Sequence, residues 1–197
     1  TQNKRRLIGL LGQIELNWKN WAFLNLSARN DYSSTLPTGN NSYFYGGINA
    51  SVVLNDAIPT LKNVKQIDLL KVRAAIGQTG NDAGVYMTTS YYTPWKSYYT
   101  YLPINGVSGL TEYNRLPNTD LKPEITTEYE LGLAGNFFSN RLSLDFGYYN
   151  RQTKNQIISA TLAPEMGYTS NTRNVGKLEN KGIELALNFT PIRNKDW

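Results

Sequence analysis

Apolar residues fall at every second position in stretch after stretch of this chain. Few folds can use that pattern at such length. Leu10, Gly12, Ile14, Leu16 and Trp18 alternate with Gln13, Glu15 and Asn17, and Ala22, Leu24, Leu26 and Ala28 alternate with Asn25, Ser27, Arg29 and Asp31. The alternation resumes over Phe44–Leu54, Leu70–Ile76, Ile125–Phe137, Leu142–Tyr149 and Ile183–Phe189. A period of two places the two sets on opposite faces of a β-strand. These runs imply strands of about 10–13 residues, where a strand of a globular domain has about 5–6. At about 3.3 Å per residue and a tilt near 40°, twelve residues rise about 30 Å, enough to cross a bilayer.

Composition narrows the function classes. Hydrophobic residues make up 40% of the 197, charged residues 18%, and the 14 Tyr and 16 Gly suit strands joined by turns. The formal charge of +5 comes with no basic run longer than Lys4-Arg5-Arg6, which speaks against a nucleic-acid partner. Cys and His are both absent, which excludes disulfides, Cys/His metal sites and histidine-based triads. No apolar run reaches the roughly 18–20 residues of a spanning helix, but a barrel crosses with strands and needs none. No signal peptide is visible at the start, so export would require one upstream.

The connections alternate in length. Lys19-Asn20, Ser139-Asn140 and Ile192-Arg193-Asn194-Lys195-Asp196 are tight, whereas 33–42, 78–123 and 159–174 are wide and irregular; 55–66 is intermediate and suits a short helical turn. Short turns on one side and long loops on the other are the habit of outer-membrane barrels. Trp18, Phe137 and Phe189 sit on the apolar face beside the tight turns, and Tyr32, Phe44 and Tyr129 beside the wide loops, as two interfacial girdles would require. Trp21 has the wrong parity for this scheme. The alternative is a soluble β-sandwich, a carbohydrate-binding or adhesive module. Its outer face would carry Lys, Glu and Thr, whereas Gly, Ser, Asn and charges of both signs fill the polar face here. The reading is therefore all-β, an antiparallel transmembrane β-barrel segment, with about seven or eight long strands forming an arc of a larger barrel.

The 118–157 stretch "NTDLKPEITTEYELGLAGNFFSNRLSLDFGYYNRQTKNQI" resembles a hallmark segment of SusC/RagA-type TonB-dependent outer-membrane transporters. "NVGKLENKGIELALNFTPIRNKDW" (174–197) resembles the strand pair that follows it there, "LLKVRAAIGQTGND" (69–82) a strand leading into a Gly-Asn loop, and "LNLSARNDYSS" (24–34) an Arg-Asp strand end. The resemblance implies a barrel of about 22 strands around an N-terminal plug, with residues 1–197 supplying wall and loops, and the plug and final strands outside them. It implies outer-membrane lipid as surroundings, a SusD-like surface lipoprotein as partner, TonB engaged through upstream segments, and import of an oligosaccharide or peptide. It implies no cofactor, no metal and no catalysed reaction.

Two sets of residues are candidates for contact. Tyr91, Tyr92, Trp95, Tyr98, Tyr99 and Tyr101 crowd one wide loop. Aromatic faces there suit stacking on substrate or partner, or packing the loop's own small core. Arg29, Asp31, Lys71, Arg73, Glu128, Glu130, Asp145, Arg151 and Glu184 have the polar parity. They are expected to face the lumen, paired across strands, with the plug or with water. Three motifs carry no site. "LKPE" (121–124) suits the start of a strand, "GQTGND" lacks the Lys of a phosphate loop, and Glu128 and Glu130 lie on one strand, unlike a glycosidase pair.

Overall fold

The computed structural model describes residues 3–94 and 110–192. Twelve strands occur in the order β1 (Leu7–Trp18), β2 (Ala22–Ser33), β3 (Ser42–Val53), β4 (Ile67–Asn81), β5 (Tyr92–Pro94), β6 (Leu110–Glu112), β7 (Arg115–Leu116), β8 (Glu124–Phe137), β9 (Leu142–Lys154), β10 (Ile157–Thr161), β11 (Ser170–Asn174) and β12 (Lys177–Phe189). Seven of them, each 12 to 15 residues long, form one antiparallel sheet in the order β1-β2-β3-β4-β8-β9-β12. Among the described residues β1 and β12 do not pair, so this sheet is an open arc.

Register carries the alternation across the arc. Ala74, Leu131, Tyr148 and Ile183 stand side by side on one face, and Arg73, Gly132, Gly147 and Glu184 stand side by side on the other. The apolar face is not a core. Leu131 is 57% exposed and Leu185 61%, and the other sheets have only three strands and two. A β-sandwich needs a second large sheet to cover such a face. None exists among the described residues, so the sandwich alternative fails.

The tight turns explain two features of the sequence. Lys19 and Asn20 both take positive φ, at 47° and 60°, the left-handed conformation that favours Asn in a hairpin. The Asn17 side chain locks them: its Oδ1 accepts from the Asn20 amide at 3.0 Å, and its Nδ2 donates to Asn20 Oδ1 at 2.9 Å. Trp21 belongs to this turn and not to a strand, which accounts for its parity. The 55–66 break holds two short helices, α1 (Leu54–Ala57) and α2 (Pro59–Lys62), with Pro59 opening the second. Leu54 therefore leaves the strand pattern that the sequence extends to it. The expected turn at 192–196 falls mainly on residues 193–196, outside the described residues.

Among the described residues, the one cluster of buried hydrophobic residues lies at the wide-loop end: Leu36, Tyr43, Ala83 and Leu121, with Tyr45, Met87, Ile125 and Ile157 packed against it. Leu121 is 0% exposed. Side-chain amides tie the loops around it. Asn40 Nδ2 donates to the Leu121 carbonyl at 3.3 Å, Asn118 Nδ2 to the Thr172 carbonyl at 2.9 Å, and Asn174 Nδ2 to the Lys122 carbonyl at 2.8 Å. Glu124 accepts from the Ile157 amide at 2.6 Å and from Asn81 Nδ2 at 3.0 Å. The wide stretches are thus more regular than they read. 159–174 contains most of β10 and β11, paired antiparallel, and β7 adds to β11 in parallel. "IISAT" and "SNTRN" are five residues each, too short to show a period.

Candidate functional site

The polar face is built around Arg73. Its side chain leaves β4, crosses β8 and reaches β9. Nε donates to Glu130 at 3.1 Å, and Nη1 and Nη2 grip both oxygens of Asp145 at 3.1 and 2.9 Å. Register explains how it can cross. The residue beside Arg73 on β8 is Gly132, and the next on β9 is Gly147. A Cβ on Gly132 would lie 2.4 Å from Arg73 Nε and 2.7 Å from its Cγ, so only glycine leaves room for the guanidinium to lie flat. The bidentate grip on Asp145 is the strong form of this pairing.

The other expected residues of this face divide among three places. Arg151 Nη2 meets Glu128 at 2.9 Å directly across β8 and β9. Arg29 Nε donates to Asp31 at 2.7 Å, and the Tyr45 hydroxyl donates to the second oxygen of Asp31 at 2.7 Å, so this carboxylate is fully engaged and only 3% exposed. Lys71 stands apart near the tight turns, its ammonium 6.0 Å from the centre of the Phe23 ring. It helps line a hollow of about 580 Å³ with Glu15, Asn25, Asn49 and Ser51. Glu184 is exposed beside Gly147 and shares a hollow of about 130 Å³ with Arg73, Glu130 and Asp145. Parity thus brings eight of the nine together, Arg73, Glu130, Asp145 and Glu184 around one hollow and Arg151–Glu128 and Arg29–Asp31 as pairs, while Lys71 stands apart from the others.

This arrangement gives a testable energy. Gly132→Ala displaces Arg73 and is expected to cost about 1–2 kcal/mol, the scale of a part-exposed bidentate network. The same substitution in an Arg73→Ala background is expected to cost almost nothing. Denaturant unfolding of the four members of this double-mutant cycle checks it.

The tyrosine-rich loop forms a second group at the wide-loop rim. β5 and β6 pair as a hairpin stem, with Tyr92 opposite Glu112. Tyr91 turns inward. Its ring stacks on Tyr113 at 4.5 Å and 19°, and lies 6.0 Å from Tyr86 at a 56° tilt. The Arg115 guanidinium lies 5.3 Å over Tyr113, and its Nη2 donates to the Tyr86 carbonyl at 2.8 Å. Tyr86 has φ 61°, an uncommon conformation for a bulky residue, and that hydrogen bond braces it. Burial, then the hydrogen bond with Tyr113, raises the Tyr91 phenol above its ordinary value. Tyr92 faces outward and is 67% exposed. Tyr168, from the 155–176 loop, hydrogen-bonds to Glu112; burial, then the charge of Glu112, raises its phenol as well. Trp95, Tyr98, Tyr99 and Tyr101 lie outside the described residues.

Sequence reading missed Asp82, Tyr86, Glu112, Tyr113, Arg115 and Tyr168. Asp82 accepts from Arg5 at 2.6 and 3.1 Å, from Thr35 Oγ1 at 2.9 Å and from the Ser33 hydroxyl, joining the segment before β1 to the loop after β4. Nothing local marks these residues. They meet only because the strands bring distant loops to one rim.

Comparison with known proteins agrees with this geometry. Residues 1–197 match the family described as TonB dependent receptor-like, beta-barrel. TonB-dependent receptor P26 of Formosa agariphila is 30% identical over 196 residues, which are 98% of this chain and 19% of that protein. TonB-dependent receptor SusC of Bacteroides thetaiotaomicron is 30% identical over 140 residues, 70% of this chain and 14% of that protein. The chain spans about a fifth of the length of the first of these relatives. The RagAB peptide importer in its open-open state superposes with a TM-score of 0.82 at 25% identity, over 98% of this chain and 20% of its own. The siderophore receptor PirA of Pseudomonas aeruginosa shares the fold at a TM-score of 0.60 and 16% identity, over 92% of this chain and 30% of its own. The chain therefore belongs to the TonB-dependent receptor-like β-barrel family, with the character of its SusC/RagA-type members, which are β-barrel proteins of the Gram-negative outer membrane.

Proposed function

We propose that residues 1–197 are part of the barrel domain of an importer that carries glycans or peptides inward through the outer membrane. The apolar face of the sheet touches acyl chains, and the polar face lines a wet lumen. TonB acts through segments that precede this one, and a SusD-like lipoprotein covers the wide-loop rim. The wall itself catalyses no reaction. Tyr92, with Trp95, Tyr98, Tyr99 and Tyr101, contacts substrate or lipoprotein at that rim.

One observation carries the reading: the two faces of the same strands differ completely in what they offer. Leu131 and Leu185 stand uncovered on one side, while Arg73, Glu130 and Asp145 bind one another on the other. Charged groups in hydrocarbon cost several kcal/mol, so only the apolar side suits lipid. A long antiparallel sheet also pairs its backbone groups between strands, as a bilayer demands. The RagAB peptide importer, 25% identical to this chain, is an importer of the kind proposed.

The chain has no cysteine, so single introduced thiols can report on each face. Spin labels at Leu131→Cys and Leu185→Cys in the lipid-reconstituted receptor are expected to relax with oxygen and ignore a water-soluble nickel chelate. A label at Glu130→Cys is expected to do the reverse. Equal chelate access at Leu131 and Glu130 would refute the assignment of faces.

A further inference from the structure

We infer that Lys154, Lys177 and Lys181 form a docking surface for a phosphate-bearing glycolipid headgroup on the outside of the wall, just beyond its apolar belt. The inference rests on the reading that the Leu131 face meets lipid. It adds one class of lipid, held at one place.

Register puts the three lysines on that face. Leu131, Tyr148 and Ile183 stand in one apolar row across β8, β9 and β12. Each step of two residues towards the wide loops keeps the same face. The first step gives Tyr129, Asn150 and Lys181, the second Thr127, Gln152 and Glu179, and the third Ile125, Lys154 and Lys177. Tyr129 and Tyr148 lie where the apolar belt ends, the place of interfacial aromatics. Lys181 therefore stands at the border between acyl chains and headgroups. All three lysines are exposed.

The arrangement calls for an anion. Lys154 and Lys177 are directly opposite each other on β9 and β12. Like charges so placed repel. The strands cannot slip to part them, because 13 consecutive residue pairs fix the register. Asn174 Nδ2 also donates to the carbonyl of Asn155, next to Lys154, at 2.7 Å. Among the described residues no carboxylate makes an ion pair with any of the three lysines. The only acid in these rows, Glu179, accepts from Asn150 Nδ2 at 3.0 Å, and Asn150 Oδ1 accepts from Gln152 Nε2 at 3.4 Å. The rows thus carry three positive charges against one negative. A bound phosphate would neutralise the opposed ammonium groups through charge-assisted hydrogen bonds.

Depth selects the ligand. Six residues separate Ile183 from Lys177, which is about 20 Å along the strand and about 15 Å in height at a tilt near 40°. The headgroup layer of a simple bilayer adds only about 5–8 Å on each side of the hydrocarbon. A small phosphodiester headgroup reaches Lys181 and falls short of Lys154 and Lys177. A sugar headgroup bearing phosphates is tall enough for all three, and its hydroxyls suit the amide of Gln152 between them.

The test is titration of the detergent-purified receptor with single lipids, read as bound copies by native mass spectrometry. A diphosphorylated, acylated disaccharide is expected to bind. Its dephosphorylated form and phosphatidylglycerol are each expected to bind about tenfold more weakly, as loss of two basic contacts implies. Lys154→Gln and Lys177→Gln are each expected to weaken phosphoglycolipid binding about fivefold, and the triple variant with Lys181→Gln about thirtyfold or more. Replacing Lys19, Lys62 and Lys65 by Gln removes the same charge at the tight-turn end and is expected to change nothing. Without lipid, Lys154→Gln is expected to melt no lower than the parent, since it relieves a repulsion; a lower melting temperature would remove the argument from the opposed pair. Parent-like binding by the triple variant, or an equal loss in the tight-turn control, overturns the surface. Equal binding of phosphatidylglycerol or of the dephosphorylated lipid overturns the choice of headgroup. The spin-label result reports separately on whether the Leu131 face meets lipid at all.

Discussion

Leu131→Arg is expected to destabilise the membrane-embedded barrel by about 2–4 kcal/mol, the cost of an arginine near the bilayer midplane on the lipid side of a β-barrel. Leu131 lies near the middle of β8 and is more than half exposed. The control is one residue away in direction. Ala75 pairs with Glu130 across β4 and β8, on the opposite face. Ala75→Arg is expected to stay within about 1 kcal/mol of the parent, because an arginine there meets water and a carboxylate. Denaturant unfolding of both variants in lipid vesicles measures the difference. The comparison is sharp because a one-residue step along a strand reverses the face. Equal costs, or a larger cost at Ala75, would show that the Leu131 face does not meet lipid.

Leu121→Ala is expected to lower the stability of the loop rim by about 2–5 kcal/mol, the usual cost of emptying a filled leucine site. Its side chain has no solvent exposure, and the loops converge on its neighbourhood through Asn40, Asn174 and Glu124. The loss is expected to be local, since the long strands keep their own pairing. Hydrogen exchange should show it as faster exchange by about 30-fold or more in the segments around 118–124 and 170–175, with amides in the middle of β8 and β9 unchanged. Leu121→Met, which preserves volume, is expected to cost less than about 1.5 kcal/mol. If Leu121→Ala leaves the loop amides as protected as before, the rim does not depend on this cluster.

Much of the wall is written in plain alternation. Leu10–Trp18, Ala22–Ala28 and Ile183–Phe189 read as strands because each turns an unbroken apolar row to one side, and the fold contains all three as expected. The polar partners Glu128, Arg151, Glu130 and Asp145 could be assigned to one face by parity. Parity gives a side, however, and no partner. That Arg73 bypasses its nearest neighbours to grip Asp145 two strands away follows from the register of β4, β8 and β9, which set Gly132 and Gly147 in its path.

The rim was far less legible. "IISAT" and "SNTRN" look like loop, and Leu121 looks like one apolar residue among polar ones, yet β10 and β11 pair and Leu121 is the most enclosed side chain described. Tyr91 and Tyr92 are adjacent in the chain, and only the pairing of β5 with β6 sends one inward to Tyr113 and the other outward beside Glu112.

Local chemistry was enough to decide that this chain makes long two-faced strands, because a side chain's face in a strand depends only on whether its position is odd or even. Which residues meet across the sheet and at its rim was decided by tertiary structure, because those contacts join segments many tens of residues apart: Arg73 to Asp145, Arg5 to Asp82, Lys122 to Asn174. Their distance in sequence leaves no periodic trace, and register and loop packing alone bring them within hydrogen-bond range.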